Sequence, residues 1–145
     1  DILATALRGR LTIDDLVHLE LSYAPPFGSA KDVVNLAGFA ASNQRDGLVR
    51  PIAALPVEPQ TQIIDVRGAA ASHELPVPGA RNIPLATLRA AVATLDPQAP
   101  VITLCAHGKT SYFAARILAQ HGFDVRSLAG GVYAHPELHP PKPSP

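Results

Sequence analysis

The chain has 145 residues, with twelve Lys+Arg against twelve Asp+Glu for a formal net charge of zero and only 17% charged residues. Its length suits one domain with a short appendage rather than two full domains, and its neutrality offers no basic field to a nucleic-acid backbone, so no nucleic-acid partner is expected. A single cysteine makes neither an intramolecular disulfide nor a CxxC metal site and suits a reducing compartment, and no apolar run reaches the ~18 residues of a membrane span. A soluble, cytoplasmic protein with no membrane partner and no metal is expected.

The chain begins at Asp1 and has no methionine, so a piece of something longer is expected. Its first 46 residues read as helical. Leu3, Ala6 and Leu7 share one face. Thr12 is placed as an N-cap before a helix over 13–20, with Asp14 and Asp15 in the first turn where the helix dipole favours acids. Tyr23-Ala24-Pro25-Pro26-Phe27 breaks the helix, because its prolines remove donors and fix φ. A helical period resumes over 29–44, with Val33, Leu36, Ala37 and Ala40 on one side. The two helices predict a hairpin. Residues 45–61, with Gly47, Pro51, Pro56 and Pro59, read as a connector.

Beyond it, strands alternate with helices. Short buried strands are predicted over 62–66, 81–83, 101–105 and 125–128. A helix opened by Pro84 carries Leu85, Leu88, Val92 and Leu95 as one stripe, and another spans 110–121 before Gly122. Near-continuously apolar strands separated by helices predict an α/β fold, three layers with a central parallel sheet. The domain boundary is set near Ile52, giving segments 1–51, 52–135 and a proline-rich extended tail over 136–145, which holds five of the fifteen prolines.

In such a sheet, ligands bind beyond the carboxyl ends of the strands, and Cys105 stands at such an end. It is followed by Ala106-His107-Gly108-Lys109-Thr110 and then a helix start. Backbone N–H groups in a tight glycine-containing loop converge as an anion nest, and the helix behind adds partial positive charge. A thiolate is an anion, so the nest, with Lys109 and His107 nearby, is expected to depress the Cys105 pKa and make it a nucleophile. A lone cysteine after a buried strand more often serves as a small hydrophobe. The glycine, the basic residue and the helix start that follow it shift the reading toward chemistry.

Residues 63–135 resemble a rhodanese domain. Ile63-Ile64-Asp65-Val66-Arg67 opens it, Val77-Pro78-Gly79-Ala80-Arg81-Asn82-Ile83-Pro84 matches its middle signature, and Leu128-Ala129-Gly130-Gly131 its end. The loop from Cys105 to Thr110 is similar to the six-residue form of the family's sulfurtransferases. The resemblance implies sulfur transfer. Cys105 would take a sulfane sulfur from a donor, hold it as a persulfide in the nest formed by Ala106, His107, Gly108, Lys109, Thr110 and Ser111, and pass it to a thiol acceptor. Asp65 and Arg67 would be supports. Cysteine phosphatases and arsenate reductases of the same fold use a longer loop closed by arginine. Here Ser111 stands at that point, which disfavours phosphate chemistry. The chain departs from the rhodanese pattern after Arg67, where the usual acidic and aromatic residues are missing, at Leu75-Pro76, where Gly-His is usual, and at His135, where tryptophan is common.

The N-terminal segment, through Tyr23-Ala24-Pro25-Pro26-Phe27 and on to Phe39, is similar to the end of the dimerisation domain of FAD-dependent pyridine nucleotide-disulfide oxidoreductases of the coenzyme A disulfide reductase type. This implies a parent reductase carrying FAD and NAD(P)H, with Tyr23 matching a tyrosine of its active site. The glycine-rich nucleotide loops are absent from this chain, so no cofactor is expected within it. It also implies a hairpin face that meets a second copy in a homodimer, folds back, or stays mobile. Two functions are therefore carried forward: a sulfurtransferase acting through Cys105 beside a reductase domain, and a docking or redox-sensing module without turnover.

Overall fold

The computed structural model describes residues 1–55 and 59–138, divided into two compact units after Leu48. In the N-terminal unit, α1 spans Ile2–Arg8, α2 Ile13–His18 and α3 Val33–Arg45. Thr12 caps α2 as predicted. Its hydroxyl accepts the Asp15 N–H at 3.2 Å, while the Asp15 carboxylate accepts the Thr12 N–H at 2.7 Å. These two hydrogen bonds satisfy donors that a helix start otherwise leaves orphaned. The Thr12 amide, followed by its hydroxyl, holds the Asp15 carboxyl below its usual pKa.

Asp32 caps α3, its carboxylate accepting the Val34 N–H at 2.8 Å. Helices α2 and α3 pack as the expected hairpin, but not through the expected stripe. Val34, Asn35 and Gly38 are the buried residues of α3, whereas Val33, Leu36, Ala37 and Ala40 are exposed, Val33 to 74%. Close approach decides the contact. Gly38 lies so near the α2 backbone that a Cβ there would come within 2.9 Å of the Val17 nitrogen. The buried Asn35 amide donates to the Leu16 and Leu19 carbonyls at 3.1 Å each, satisfying acceptors at the end of α2. Leu7 also departs from expectation: it is 81% exposed, although its neighbour Ala6 is buried.

The second unit is built on a five-stranded, wholly parallel sheet in the order β1-β5-β4-β2-β3. The strands are β1 Pro51–Ile52, β2 Gln62–Asp65, β3 Ala80–Asn82, β4 Val101–Leu104 and β5 Val125–Leu128. Helices α4 Ala69–Glu74, α5 Leu85–Ala91 and α6 Lys109–Gln120 connect them. Every residue of the central β4 is buried, as a strand covered on both faces requires. Side chains alternate across the sheet. Ile64, Val101, Cys105 and Val125 pack with Leu88, Ala114, Ala115 and Leu118 in one cluster, and Leu104 and Leu128 join Val77 and Val132 in the other. The predicted stripe of α5 and the turn after it, Leu85, Leu88, Val92 and Leu95, lies in the first cluster.

Two elements escape the sequence pattern. Strand β1 has two residues, too few for a period, and Ile52, near the expected boundary, is one of them. Its Pro51 is tolerated because the strand lies at the sheet edge beside β5. Helix α4 buries none of its residues, so it lacks the apolar stripe by which helices are read. The tail begins not as an extended segment but as a single 3₁₀ turn at Pro136–Leu138. The rest of the expected proline-rich segment, 139–145, lies outside the described residues. Among those described, no helix is long and apolar enough to cross a membrane.

Candidate active site

The chain leaves β4 at Leu104, and the next residue, Cys105, is only 2% exposed. Gly108 then takes φ +89° as the N-cap of α6, a left-handed turn that glycine adopts without strain. The turn folds the loop back over the sulfur. The Gly108 N–H donates to Cys105 Sγ at 3.1 Å, and Ser111 Oγ lies 3.4 Å from it on the first turn of the helix. Burial alone would push the thiol pKa up. The Ser111 and Thr110 hydroxyls, together with the Ser111 and His107 amides, outweigh it and hold the thiol below its ordinary value.

The depression expected from the basic side chains has a different origin. Lys109 and His107 are both exposed, and neither the ammonium nor the imidazole is among the groups that lower the Cys105 pKa. In water a point charge near the surface is strongly screened, whereas hydroxyls and amides aimed at the sulfur are not. The anion-stabilising work thus falls to the backbone and the hydroxyls.

The loop is pinned from the β5 side. The Val132 N–H donates to the Cys105 carbonyl at 2.8 Å and the Tyr133 N–H to the Ala106 carbonyl at 3.2 Å. Gly131, at φ +66°, leaves no space for a side chain above those two carbonyls. The His107 ring rests against that of Tyr133, with centroids 5.0 Å apart and planes at 59°. Below the loop, the buried Thr103 and Ser127 reach Ser111: the Thr103 hydroxyl donates to the Ser111 carbonyl at 2.9 Å and the Ser127 hydroxyl to Ser111 Oγ at 3.1 Å. Sequence reasoning missed Thr103, Ser127 and Tyr133. A readable signal existed for the first two, since a hydroxyl in the middle of a short apolar strand needs a buried partner.

Asp65 and Arg67 form a buried pair at the end of β2, Asp65 standing opposite Leu104 in the strand register. The guanidinium grips the carboxylate through Nη2 at 2.6 Å and Nε at 3.0 Å, Nη2 also donates to the Leu75 carbonyl, and Ser72 Oγ donates to the carboxylate at 2.7 Å. Burial raises the Asp65 pKa, but these donors together outweigh it and hold it below the usual carboxylate value. Arg67 thus finds its ionic partner two residues upstream, although the acid usual after it is missing. The pair positions the β2 end without touching the sulfur. Of the predicted residues, Ala106, His107, Gly108, Lys109, Thr110 and Ser111 surround or follow Cys105 on one loop and helix start. Tyr23 belongs to the N-terminal unit, where it is half-exposed and lines a hollow of about 550 Å³ with Leu19, Phe27 and Lys31.

Comparison with known proteins places these features in a family. The profile of the Rhodanese-like domain family matches residues 51–135. The coenzyme A disulfide reductase of Staphylococcus haemolyticus (strain JCSC1435) is 46% identical over 41 residues, which are 28% of this chain and 9% of that protein. That of Staphylococcus aureus (strain JH9) is 42% identical over 41 residues, again 9% of its length. Among solved structures, reduced Bacillus anthracis CoADR-RHD superposes with a TM-score of 0.87 at 37% identity, covering 95% of this chain and 26% of that one. The NAD-dependent persulfide reductase from A. fulgidus gives a TM-score of 0.79 at 36% identity, covering 90% of this chain and 24% of that one. The chain thus spans about a quarter of the length of these solved relatives.

Proposed function

Because this chain belongs to the rhodanese-like domain family, we propose that it is a sulfurtransferase domain whose Cys105 carries sulfane sulfur as a persulfide. The observation that supports the reading is the buried sulfur held 3.1 Å from the Gly108 N–H at the mouth of the loop, with its thiol pKa lowered by surrounding hydroxyls and amides. A nest that stabilises a thiolate also suits a persulfide anion and an anionic donor such as thiosulfate.

With thiosulfate the steps balance. The Cys105 thiolate attacks the outer sulfur, a Cys105 S–S bond forms, the donor's S–S bond breaks and its electron pair leaves with sulfite. An acceptor thiolate then attacks the outer sulfur of the Cys105 persulfide and leaves as an acceptor persulfide, which returns the Cys105 thiolate with no net oxidation. The reductases among the relatives support a further part of the proposal. In a longer chain, this domain would exchange sulfur with a reductase domain that holds FAD and NAD(P)H, and Tyr23 would contribute to that domain's site.

The test is intact mass after incubation with thiosulfate, and separately with polysulfide, for the wild type and Cys105→Ser. A gain of one sulfur that is absent from the variant and discharged by added thiol supports transfer. No gain from either donor overturns it and leaves a docking or sensing module.

A further inference from the structure

Strands β4 and β5 pair so that Thr103 and Ser127 are direct cross-strand partners. Both are buried, and both aim their hydroxyls at Ser111, itself fully buried at the start of α6. Thr103 holds the Ser111 carbonyl and so fixes where the residue stands. Ser127 holds the hydroxyl oxygen that faces the cysteine. We propose that Ser127 is a positioning residue that acts through Ser111 to favour the thiolate of Cys105.

The donors around Ser111 Oγ differ between the two protonation states of Cys105. When Cys105 is a thiol, its S–H points to Ser111 Oγ at 3.4 Å, the Ser111 hydroxyl donates to the Gly108 carbonyl at 3.0 Å, and the Ser127 hydroxyl donates to Ser111 Oγ. When the thiol loses its proton to solvent, Ser111 can turn its hydrogen to the sulfur. The Gly108 carbonyl is not orphaned by this turn, because the Tyr112 N–H also donates to it at 3.2 Å. Ser111 Oγ, however, loses the cysteine as a donor, and Ser127 becomes the donor that keeps its oxygen satisfied. A hydroxyl that accepts one hydrogen bond donates a stronger one, so the chain Ser127 to Ser111 to Cys105 strengthens when the sulfur is charged. Ser127 therefore contributes more to the thiolate state than to the thiol state, although it does not touch the sulfur.

The proposal rests on the reading of Cys105 as a thiolate nucleophile. It is tested by a readout that does not require sulfur transfer, the rate of Cys105 alkylation by iodoacetamide against pH, measured on the full chain. Wild type is compared with Ser127→Ala, Ser127→Thr and Ser127→Val. Thr and Val load the site with nearly the same volume but only Thr keeps the hydroxyl, so a packing defect appears in both and a lost hydrogen bond only in Val. Other charged and titratable groups near the loop include His107, Lys109, Tyr112, Tyr133 and the Asp65–Arg67 pair, with Arg126 beside Ser127 on the opposite face of β5. All are unchanged in every variant.

The expected result is a midpoint raised by roughly half a pH unit or more in Ala and Val, as loss of one buried hydrogen bond implies, and restored in Thr. Equal midpoints in wild type, Ala and Val overturn the proposal, as do equal shifts in Thr and Val. A wild-type midpoint at the ordinary thiol value is a different failure: it overturns the reading of Cys105 itself.

Discussion

Gly131 and Cys105 are in backbone contact that only glycine permits: at φ +66°, a Cβ on residue 131 would lie 2.6 Å from the Ala106 carbonyl carbon and closer still to the Cys105 carbonyl oxygen. The close approach lets Val132 and Tyr133 tie down the reactive loop. Gly131→Ala should therefore both strain the backbone and push the loop off the β5 side, at a cost of about 2 kcal/mol or more. Denaturant unfolding should show the loss of stability, and intact-mass loading should show slower persulfide formation.

The lowered Cys105 pKa predicts a sign as well as a rate. A group with a depressed folded pKa contributes stability that is fully present above its unfolded value, about 8.5 for a thiol, and is lost as pH falls through the folded value. The wild type should thus gain stability over Cys105→Ser as pH rises between those two values, with no further gain above them. Urea midpoints measured across that range check it. A difference independent of pH would contradict the lowered pKa.

Exposure of Lys109 and His107 predicts that they are dispensable for thiolate formation. Lys109→Gln and His107→Gln should leave the alkylation midpoint within about 0.2 unit of wild type, the scale of a screened surface charge. His107→Gln removes the ring that rests on Tyr133, so any change it makes should appear in turnover with an acceptor rather than in the alkylation profile.

The buried Asp65–Arg67 pair predicts a large structural effect. Asp65→Asn would leave the Arg67 guanidinium buried without its counter-charge, costing about 3–5 kcal/mol. Ser72→Ala, which removes one donor to the same carboxylate, should cost about 1 kcal/mol. Because the Asp65 pKa is depressed, its contribution is present above about pH 4, the unfolded carboxylate value, and is lost as pH falls through the lower folded value. Acid unfolding of Asp65→Asn should lack that component.

What could be read beforehand follows from how each feature is encoded. The parallel sheet, the α5 stripe and the cysteine loop were legible because each is written in neighbouring residues, as a short apolar run, a helical period or a glycine three places after a cysteine. The buried face of α3 was not. It is set by Gly38 and Asn35, two residues that hydropathy scores as indifferent or polar and whose importance arises only when α2 lies against them. The hydroxyl chain from Ser127 to Ser111 joins residues on separate elements, and its pairing depends on strand register, which one sequence does not state. The loop amides lower the Cys105 pKa as expected, but the share given to Lys109 and His107 was misplaced for a related reason: sequence proximity puts them beside the sulfur, whereas geometry aims the Ser111 and Thr110 hydroxyls at it.

The hairpin supplies a prediction that runs against helix propensity. In an exposed helix interior, Gly→Ala stabilises by about 1 kcal/mol. At Gly38 the new Cβ would lie 2.9 Å from the Val17 nitrogen and 3.1 Å from the Leu16 Cβ, atoms of a helix backbone and its root that cannot swing aside. The substitution must separate α2 from α3, and separation stretches the Asn35 hydrogen bonds to the Leu16 and Leu19 carbonyls. Gly38→Ala should therefore destabilise the N-terminal unit by about 1–3 kcal/mol, the range for overpacking. Because the sheet unit has its own core, Cys105 alkylation should be unchanged. Hydrogen exchange resolves the two units. Faster exchange confined to α2 and α3 is the expected result, and protection equal to wild type would show that the helices have room at Gly38.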